Sequence, residues 1–294
     1  MKFIYVGNGI NVYAGMPTSS LSKCCSDVKR LSSILSKFGY ICYTYFDNQC
    51  TKSEIMAHWK SAVASVRPDE TAWLVIHQSS HGTQVPDLDG DEPDKADEAF
   101  VCHDTVWNGV LNRWDNVITD DEIKLFLNSL SNNITVCMVA DTCHSGTITR
   151  DLVNPVVSIQ KNRKFIYPRN FVTLPIKSRG DDSSGFIEVP DTRHILLAGA
   201  SSSTYSYEDS SGGVLTTSVS KLLESSEPYL PTRRELIDYV IKYAKSKGFN
   251  QLPHYECRKD YMDLCAFDAN VGKVKPVAVS RSIWSWFGRL FSFF

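Results

Sequence analysis

The sequence predicts an α/β protein, with a mainly parallel central sheet and helices packed on both of its faces. Three observations predict it. Short apolar runs alternate with amphipathic stretches through the first half of the chain, the pattern of strands joined by crossover helices. Two of those runs end in polar, glycine-containing motifs, Gln78-Ser79-Ser80-His81-Gly82 and Asp141-Thr142-Cys143-His144-Ser145-Gly146. Strands of open α/β sheets deliver ligand-binding side chains in this way, at their C-terminal ends. Finally, the 294 residues are 43% hydrophobic with a formal net charge of −2, enough apolar material for a sizeable core.

The elements follow in order. Residues 2–6 form an apolar run with no longer hydrophobic region around it, so they predict a first strand rather than a secretory leader. Further strands are predicted at 39–46, 71–77 and 133–140. Between them, Leu21, Val28, Leu31, Ile34, Leu35 and Phe38 fall near helical spacing over 19–38, and segments 53–66 and 119–130 do likewise. Thr119 followed by Glu122 predicts a capping box, in which each side chain bonds the other residue's backbone N–H. Residues 158–191 lose all periodicity and are rich in Lys, Arg, Ser, Gly and Asp, which predicts a long exposed loop. A strand at 195–200, helices at 214–223 and 232–247, and a last strand near 262–267 complete the pattern.

Composition narrows the function. Thirty-one Lys and Arg against 33 Asp and Glu leave no broad phosphate-neutralising excess, so nucleic acid is not an expected partner. Nine cysteines, an odd number without a Cys-x-x-Cys pair, argue against a disulfide framework or structural zinc. Reduced thiols, and with them a cytoplasmic location, are the expectation.

His81 and Cys143, each just past a predicted strand, supply the parts of a thiol nucleophile and the group that shuttles its proton. Gly82 lets a substrate carbonyl approach the backbone, and its N–H together with that of Cys143 could hold an oxyanion. Taken singly, each residue has a plainer reading, Cys143 as a small buried hydrophobe and His81 as a core histidine. His77 and His144 read as non-catalytic. A phosphatase loop would need Arg at 149, where the chain has Thr149 and places Arg150 one residue late.

These motifs, His81-Gly82-Thr83-Gln84 with a following acidic run and then Asp141-Thr142-Cys143-His144-Ser145-Gly146, resemble those of the metacaspases, relatives of caspases among the cysteine peptidases. Lys23-Cys24-Cys25-Ser26-Asp27 resembles the family's Cys-x-x-Asp on the first helix, and 195–223, with Gly213 to Thr216, resembles its small-subunit half. The resemblance is strong over 1–152 and weaker over 192–268. It implies a caspase-like αβα sandwich made of a large-subunit segment (1–152) and a small-subunit segment sharing the same sheet (192–270); the linker between them (153–191), a possible self-cleavage region, and the aromatic-rich tail (271–294) lie outside the resemblance. No large prodomain is expected before the first strand.

The resemblance also implies chemistry. Cys143 would attack the carbonyl, His81 would protonate the leaving amine, and Gly82 and Cys143 would hold the oxyanion. Cys24, Asp27, Ser79 and Asp141 would line the pocket for the residue before the scissile bond, and two carboxylates there favour Arg or Lys. Calcium is implied at Asp97, Asp120, Asp121 and an Asp after the nucleophile. In this chain that last residue is Asp151, one position later than the usual spacing. The acidic run 87–98 has oxygen ligands at several EF-hand positions, but Glu92 replaces the required glycine. Lys161, Arg163, Lys164, Arg169, Lys177 and Arg179 make the linker a candidate for self-cleavage.

A monomer acting on peptide or protein substrates is expected. The tail spaces Ile283, Phe287, Leu290 and Phe294 along one helical face, suiting either packing on the domain or contact with a membrane surface or partner. It is too short for the ~20 residues of a bilayer span. Two rivals remain: a related peptidase preferring Asn or Asp, and a catalytically silent scaffold.

Overall fold

The computed structural model describes residues 1–87, 96–142, 163–166, 185–190, 192–200, 204–227 and 229–268. Its centre is a seven-stranded sheet in the order β2-β1-β3-β7-β9-β12-β8. The strands are β1 (Lys2–Gly9), β2 (Ile41–Phe46), β3 (Ala72–Ser79), β7 (Ile134–Asp141), β8 (Phe186–Glu188), β9 (Ile195–Ala198) and β12 (His254–Cys257). Pairing is parallel from β2 through to β9 and again between β12 and β8, while β9 and β12 run antiparallel. The predicted α/β sandwich with a mainly parallel sheet is what the chain forms.

Period-two alternation within the apolar runs explains the layers. Ile4, Val6, Leu74, Ile76, Val136 and Met138 face one side and join a core with Trp59, Phe100 and Phe126. Tyr5, Trp73, Val75, Cys137 and Val139 face the other and join Leu31, Leu35, Leu215 and Val240. Helix α2 (Lys52–Ala64) and helix α3 (Asp120–Asn128) cover the first side; α1 (Cys24–Lys37), α4 (Val214–Ser226) and α5 (Arg233–Ser246) cover the second. Helix α1 buries Cys24, Asp27, Val28, Leu31, Ile34 and Leu35, an i, i+3, i+4, i+7 stripe in which a carboxylate takes an apolar position. The Thr119–Glu122 capping box forms as predicted, and Thr51–Glu54 and Thr232–Glu235 repeat it on α2 and α5.

A small antiparallel sheet of β4 (Gly82–Pro86), β5 (Ala96–Asn108) and β6 (Arg113–Thr119), and a hairpin of β10 (Glu208–Asp209) and β11 (Gly212–Gly213), extend the fold beyond the predicted elements. Three expectations are corrected. Helix α1 begins at Cys24 rather than at 19, because residues 17–19 close a separate 3-10 turn. The last strand is 254–257, not 262–267; the latter follows a 3-10 turn, forms one isolated β-bridge, from Cys265 to Thr232, and packs Met262, Ala266 and Phe267 into the core without joining a sheet. The segment 158–191 is not wholly an exposed loop. Strand β8 lies within it, and Arg163 and Phe165 form bridges to Tyr207 and Gly82.

Candidate active site

Parallel pairing sets the site. In the β3–β7 register Ser79 lies opposite Asp141, and in the β1–β3 register Gly9 lies opposite Ser79, so three strand ends align along one edge. Immediately beyond β3 the chain turns through Ser80 and His81 into β4. Helix α1 lowers Asp27 onto this edge, and a Cβ on Gly9 would press to 2.7 Å from the Cys24 carbonyl, so the close seat of α1 needs a glycine there. The hairpin ending in Gly212 and Gly213 closes the opposite side.

Asp27, Ser79 and Asp141 therefore come together as the sequence implies, all fully buried, with Cys24 buried beside them. The space between them is filled by a residue absent from the expected pocket, the chain's own Lys164. Its Nζ lies 3.2 Å from Asp141 Oδ1 and 3.6 Å from Asp27 Oδ2, and donates to Ser79 Oγ at 3.0 Å and to the Asp141 carbonyl at 3.2 Å. Lys164 is itself fully buried, against the expectation of an exposed linker. A buried ammonium is tolerable only with such partners.

The two carboxylates are not equivalent. Asp141 accepts from Ser206 Oγ at 2.9 Å, Thr216 Oγ1 at 2.7 Å and the Thr216 N–H at 3.2 Å. Burial pushes its carboxyl up, yet Lys164 and these bonds together hold it below the usual carboxylate range. Asp27 accepts from the Gly213 N–H at 2.9 Å and from Ser79 Oγ at 3.4 Å. Burial, with Asp141 adding repulsion, raises Asp27 to about 7 even against the pull of Lys164. One cation facing two carboxylates neutralises the better hydrogen-bonded one, and the other holds its proton more tightly. Burial alone would lower Lys164, but Asp141 foremost lifts it above its ordinary value. The glycines of the hairpin are required: a Cβ on Gly213 would collide with the Asp141 carboxylate and with Lys164 Nζ, and one on Gly212, at φ +138°, with Asp27.

The Lys164 backbone is held like an added strand. Its N–H donates to the Ser206 carbonyl at 3.2 Å, and its own carbonyl accepts from the Gly82 N–H at 2.8 Å. Ile166 N–H donates to the Gly82 carbonyl at 3.0 Å, and Thr83 Oγ1 donates to the Ile166 carbonyl at 2.7 Å. Segment 163–166 thus lies between two strips of backbone, with its lysine in the acidic pocket and its carbonyl on the predicted oxyanion donor.

His81 sits next to Gly82. Its N–H donates to Tyr13 Oη at 2.8 Å, and its Nε2 lies 2.7 Å from the Ser19 carbonyl. With Nε2 set against the Ser19 carbonyl as donor, Nδ1, which has no hydrogen-bond partner of normal geometry among the described residues, is left as the basic nitrogen of the neutral ring. Burial lowers the ring to about 4, with the Ser19 carbonyl working against it, so it is uncharged near neutral pH. His77 is instead a core residue between Tyr5 Oη (2.8 Å) and Thr216 Oγ1 (3.1 Å). Cys143, His144, Asp151, linker residues 153–162, 167–184 and 191, and the tail 271–294 fall outside the described residues. Thr142, directly before Cys143, is buried at the end of β7. Burial pushes Cys24 above the usual thiol range and Cys25 up to about 12, so neither carries a ready thiolate.

Three of the implied calcium ligands, Asp97, Asp120 and Asp121, lie on β5 and at the start of α3. The β5–β6 register sets Ala99 opposite Thr119, which brings Asp97 and the start of α3, Asp120 and Asp121, to one end of the small sheet. Among the described residues, however, no three His, Cys, Asp or Glu side chains gather closely enough to hold a metal ion, and Asp121 lies 3.8 Å from Lys124. The described residues do not by themselves make a calcium cage.

Sequence reasoning did not assign Lys164 or Ser206 to the pocket. Ser206 sits in the Ser-rich stretch after β9, where a run of like residues gives no position precedence, and Lys164 was one of six linker cations.

This fold, with its strand-end histidine, acidic pocket and glycine hairpin, defines a class. The caspase-domain family pattern matches residues 9–262, and the chain belongs to that family of cysteine peptidases. Within it the similarity is to metacaspases. The chain is 32% identical over 151 residues to Metacaspase-1A of Aspergillus oryzae, covering 47% of this chain and 33% of that protein, and 32% identical over 151 residues to Metacaspase-1 of Botryotinia fuckeliana, covering 47% and 33%. It spans about a third of the length of these relatives. Among solved structures, protein GSU0716 from Geobacter sulfurreducens shares the fold, with a TM-score of 0.65 and 17% identity over 91% of this chain and 98% of that one. Among the described residues no helix is long and apolar enough to cross a membrane.

Proposed function

We propose that the protein is a cysteine endopeptidase that cuts after Lys or Arg and processes itself at the Lys164–Phe165 bond. The observation that carries this reading is the seating of Lys164, with its ammonium between Asp27 and Asp141 and its carbonyl on the Gly82 N–H. Main-chain bonds on both sides provide affinity without regard to sequence, and the acidic pocket provides selectivity.

In this reading His81, neutral in the ground state, takes the Cys143 thiol proton on Nδ1. The thiolate then adds to the carbonyl carbon of the basic residue, and the resulting oxyanion is held by Gly82, with the Cys143 N–H as second donor. Collapse breaks the C–N bond as His81 returns the proton to the departing amine, leaving a thioester. Water splits the thioester, releasing a carboxylate and restoring the thiol. Calcium belongs to the proposal as a requirement held by Asp97, Asp120, Asp121 and Asp151, outside these steps.

The test is hydrolysis of fluorogenic peptides ending in Lys, Arg, Asn or Asp, with and without calcium, beside mass spectrometry of the incubated chain. Cleavage after Lys and Arg, loss in chelator, and a new terminus at Phe165 that is absent from Cys143→Ala are expected. Preference for Asp or Asn, or fragments equally present in Cys143→Ala, would refute the reading.

A further inference from the structure

His77, near the C-terminal end of β3, is fully buried and takes no part in the proton transfers above. Its ring nevertheless joins β1 to the acidic pocket. Nδ1 lies 2.8 Å from Tyr5 Oη, Nε2 lies 3.1 Å from Thr216 Oγ1 in the first turn of α4, and that hydroxyl lies 2.7 Å from Asp141 Oδ2. Tyr5, Thr216 and Asp141 are as fully buried as His77, so the direction of each bond is set by the groups themselves. The neighbouring strand leaves room for this chain. Gly7 stands opposite His77 in the β1–β3 register, and a Cβ there would come to 2.6 Å from Tyr5 Oη, so a side chain at that position would push the hydroxyl off the imidazole.

The hydrogens along the chain can be placed in turn. An ionised carboxylate only accepts, so the Thr216 hydroxyl gives its one hydrogen to Asp141. Its oxygen then offers His77 only lone pairs, and Nε2 must carry the ring proton. Burial lowers His77 to about 3, so the ring is neutral and Nδ1 accepts, from the Tyr5 hydroxyl that burial keeps protonated. The Val28 carbonyl competes for that hydroxyl from farther away, at 3.3 Å. Three donors therefore point one way, Tyr5 to His77, His77 to Thr216 and Thr216 to Asp141, and each polarises the next. The other tautomer would undo this: Nε2 would accept, and would draw the Thr216 hydrogen away from Asp141.

Resting on the peptidase reading, we propose that His77 is a positioning residue for the acidic pocket: with Tyr5 fixing its tautomer, it holds the Thr216 hydroxyl on Asp141 and so keeps the negative charge of the pocket on that carboxylate. The titratable and charged groups facing the two carboxylates and the imidazole are Cys24 and Arg30 from α1, Lys164, Glu208 from β10 and Tyr5 from β1. Asp27 is the competitor for the charge. While the pocket retains one proton, weakening the chain moves that proton from Asp27 toward Asp141, and the charge leaves the carboxylate that lies nearer the ammonium, at 3.2 Å rather than 3.6 Å. Once both carboxylates are ionised the chain matters little to binding. Loss of one neutral hydrogen bond in such a chain is expected to weaken binding about threefold to tenfold.

The experiment measures kcat and KM of the full chain on one Lys peptide at about pH 5.5 and about pH 8.5, in the unmodified protein, Tyr5→Phe, His77→Leu and His77→Gln. At the lower pH, Tyr5→Phe and His77→Leu are expected to raise KM about threefold to tenfold with kcat within about twofold of the unmodified protein; at the higher pH their KM should return to within about twofold. The Gln amide can still donate to Thr216, so His77→Gln should restore the low-pH KM to within about twofold. A pocket merely displaced by the substitution would raise KM by the same factor at both pH values, and that result overturns the proposal. So does an unchanged low-pH KM in Tyr5→Phe and His77→Leu, or a loss confined to kcat. In each of those cases cleavage of the Lys peptide leaves the peptidase reading standing, whereas no cleavage by the unmodified protein overturns both. Tyr5→Phe keeps the ring volume and decides the matter if His77→Leu does not fold.

Discussion

Replacing Asp141 by asparagine keeps the volume and most hydrogen-bonding capacity of the side chain but removes its charge. Asp141 faces Lys164 at 3.2 Å and Asp27 faces it at 3.6 Å. At an effective dielectric constant of about 20, such separations give attractions of roughly 5 kcal/mol each before desolvation is counted. Much of that is offset by taking the charges out of water, and breaking a buried pair by removing one partner typically costs about 3–5 kcal/mol. Asp141→Asn should therefore lower kcat/KM on Lys peptides by roughly 10²- to 10⁴-fold. Asp27→Asn should cost only about tenfold, because its carboxyl, raised to about 7, is already partly protonated at neutral pH. Asp141 lies two residues before Cys143, so the assay needs a control for displacement of the nucleophile. The rate of Cys143 alkylation by iodoacetamide, which does not use the acidic pocket, should change less than threefold by this reasoning. Equal losses for the two carboxylates, or a loss below tenfold in Asp141→Asn with alkylation unchanged, would refute the assignment of Asp141 as the principal counter-charge.

Two further outcomes follow from the same geometry. With Lys164 facing it Asp27 titrates at about 7, and without a cation it would titrate higher, so seating a basic side chain expels a proton. KM for Lys peptides should therefore fall as pH rises from about 7 to 8, measured by initial rates, and Asp27→Asn should flatten that dependence; a KM rising with pH in the unmodified protein contradicts it. The sign for folding is opposite: a carboxyl raised in the folded state contributes stability in acid that is lost as pH rises through about 7. Gly213→Ala would drive a methyl into the Asp141 carboxylate and Lys164 Nζ, and should lower stability in urea unfolding by about 1–3 kcal/mol while raising KM for basic peptides. A normal KM in folded Gly213→Ala would show that the hairpin does not wall the pocket.

The parts of this site that could be read from sequence are those that local patterns expose. His81 and Asp141 follow strongly apolar runs, and parallel strands ending together bring such positions side by side whatever the rest of the chain does. The capping box at Thr119 was legible because both partners lie within one helical turn. Strand 254–257 was not, since the alternation in His254-Tyr255-Glu256-Cys257 runs over only four residues, too few to separate a strand from a loop; it becomes a strand by pairing with β9 and β8. Lys164 is the most instructive failure. A lysine among serines, arginines and prolines reads as solvated, because burial of an ammonium is prohibitive unless counter-charges surround it. Those counter-charges come from α1 and β7, 137 and 23 positions away in the chain. Neither carboxylate alone predicts the lysine, and the lysine alone predicts neither carboxylate. Each becomes tolerable only when the fold has assembled the others, and in the proposed peptidase this mutual dependence would make the pocket selective: a neutral side chain placed there would leave Asp141 charged and buried without its cation. The discrimination against apolar residues that the proposal entails would thus arise less from attraction to lysine than from the cost of leaving the acidic pocket unanswered.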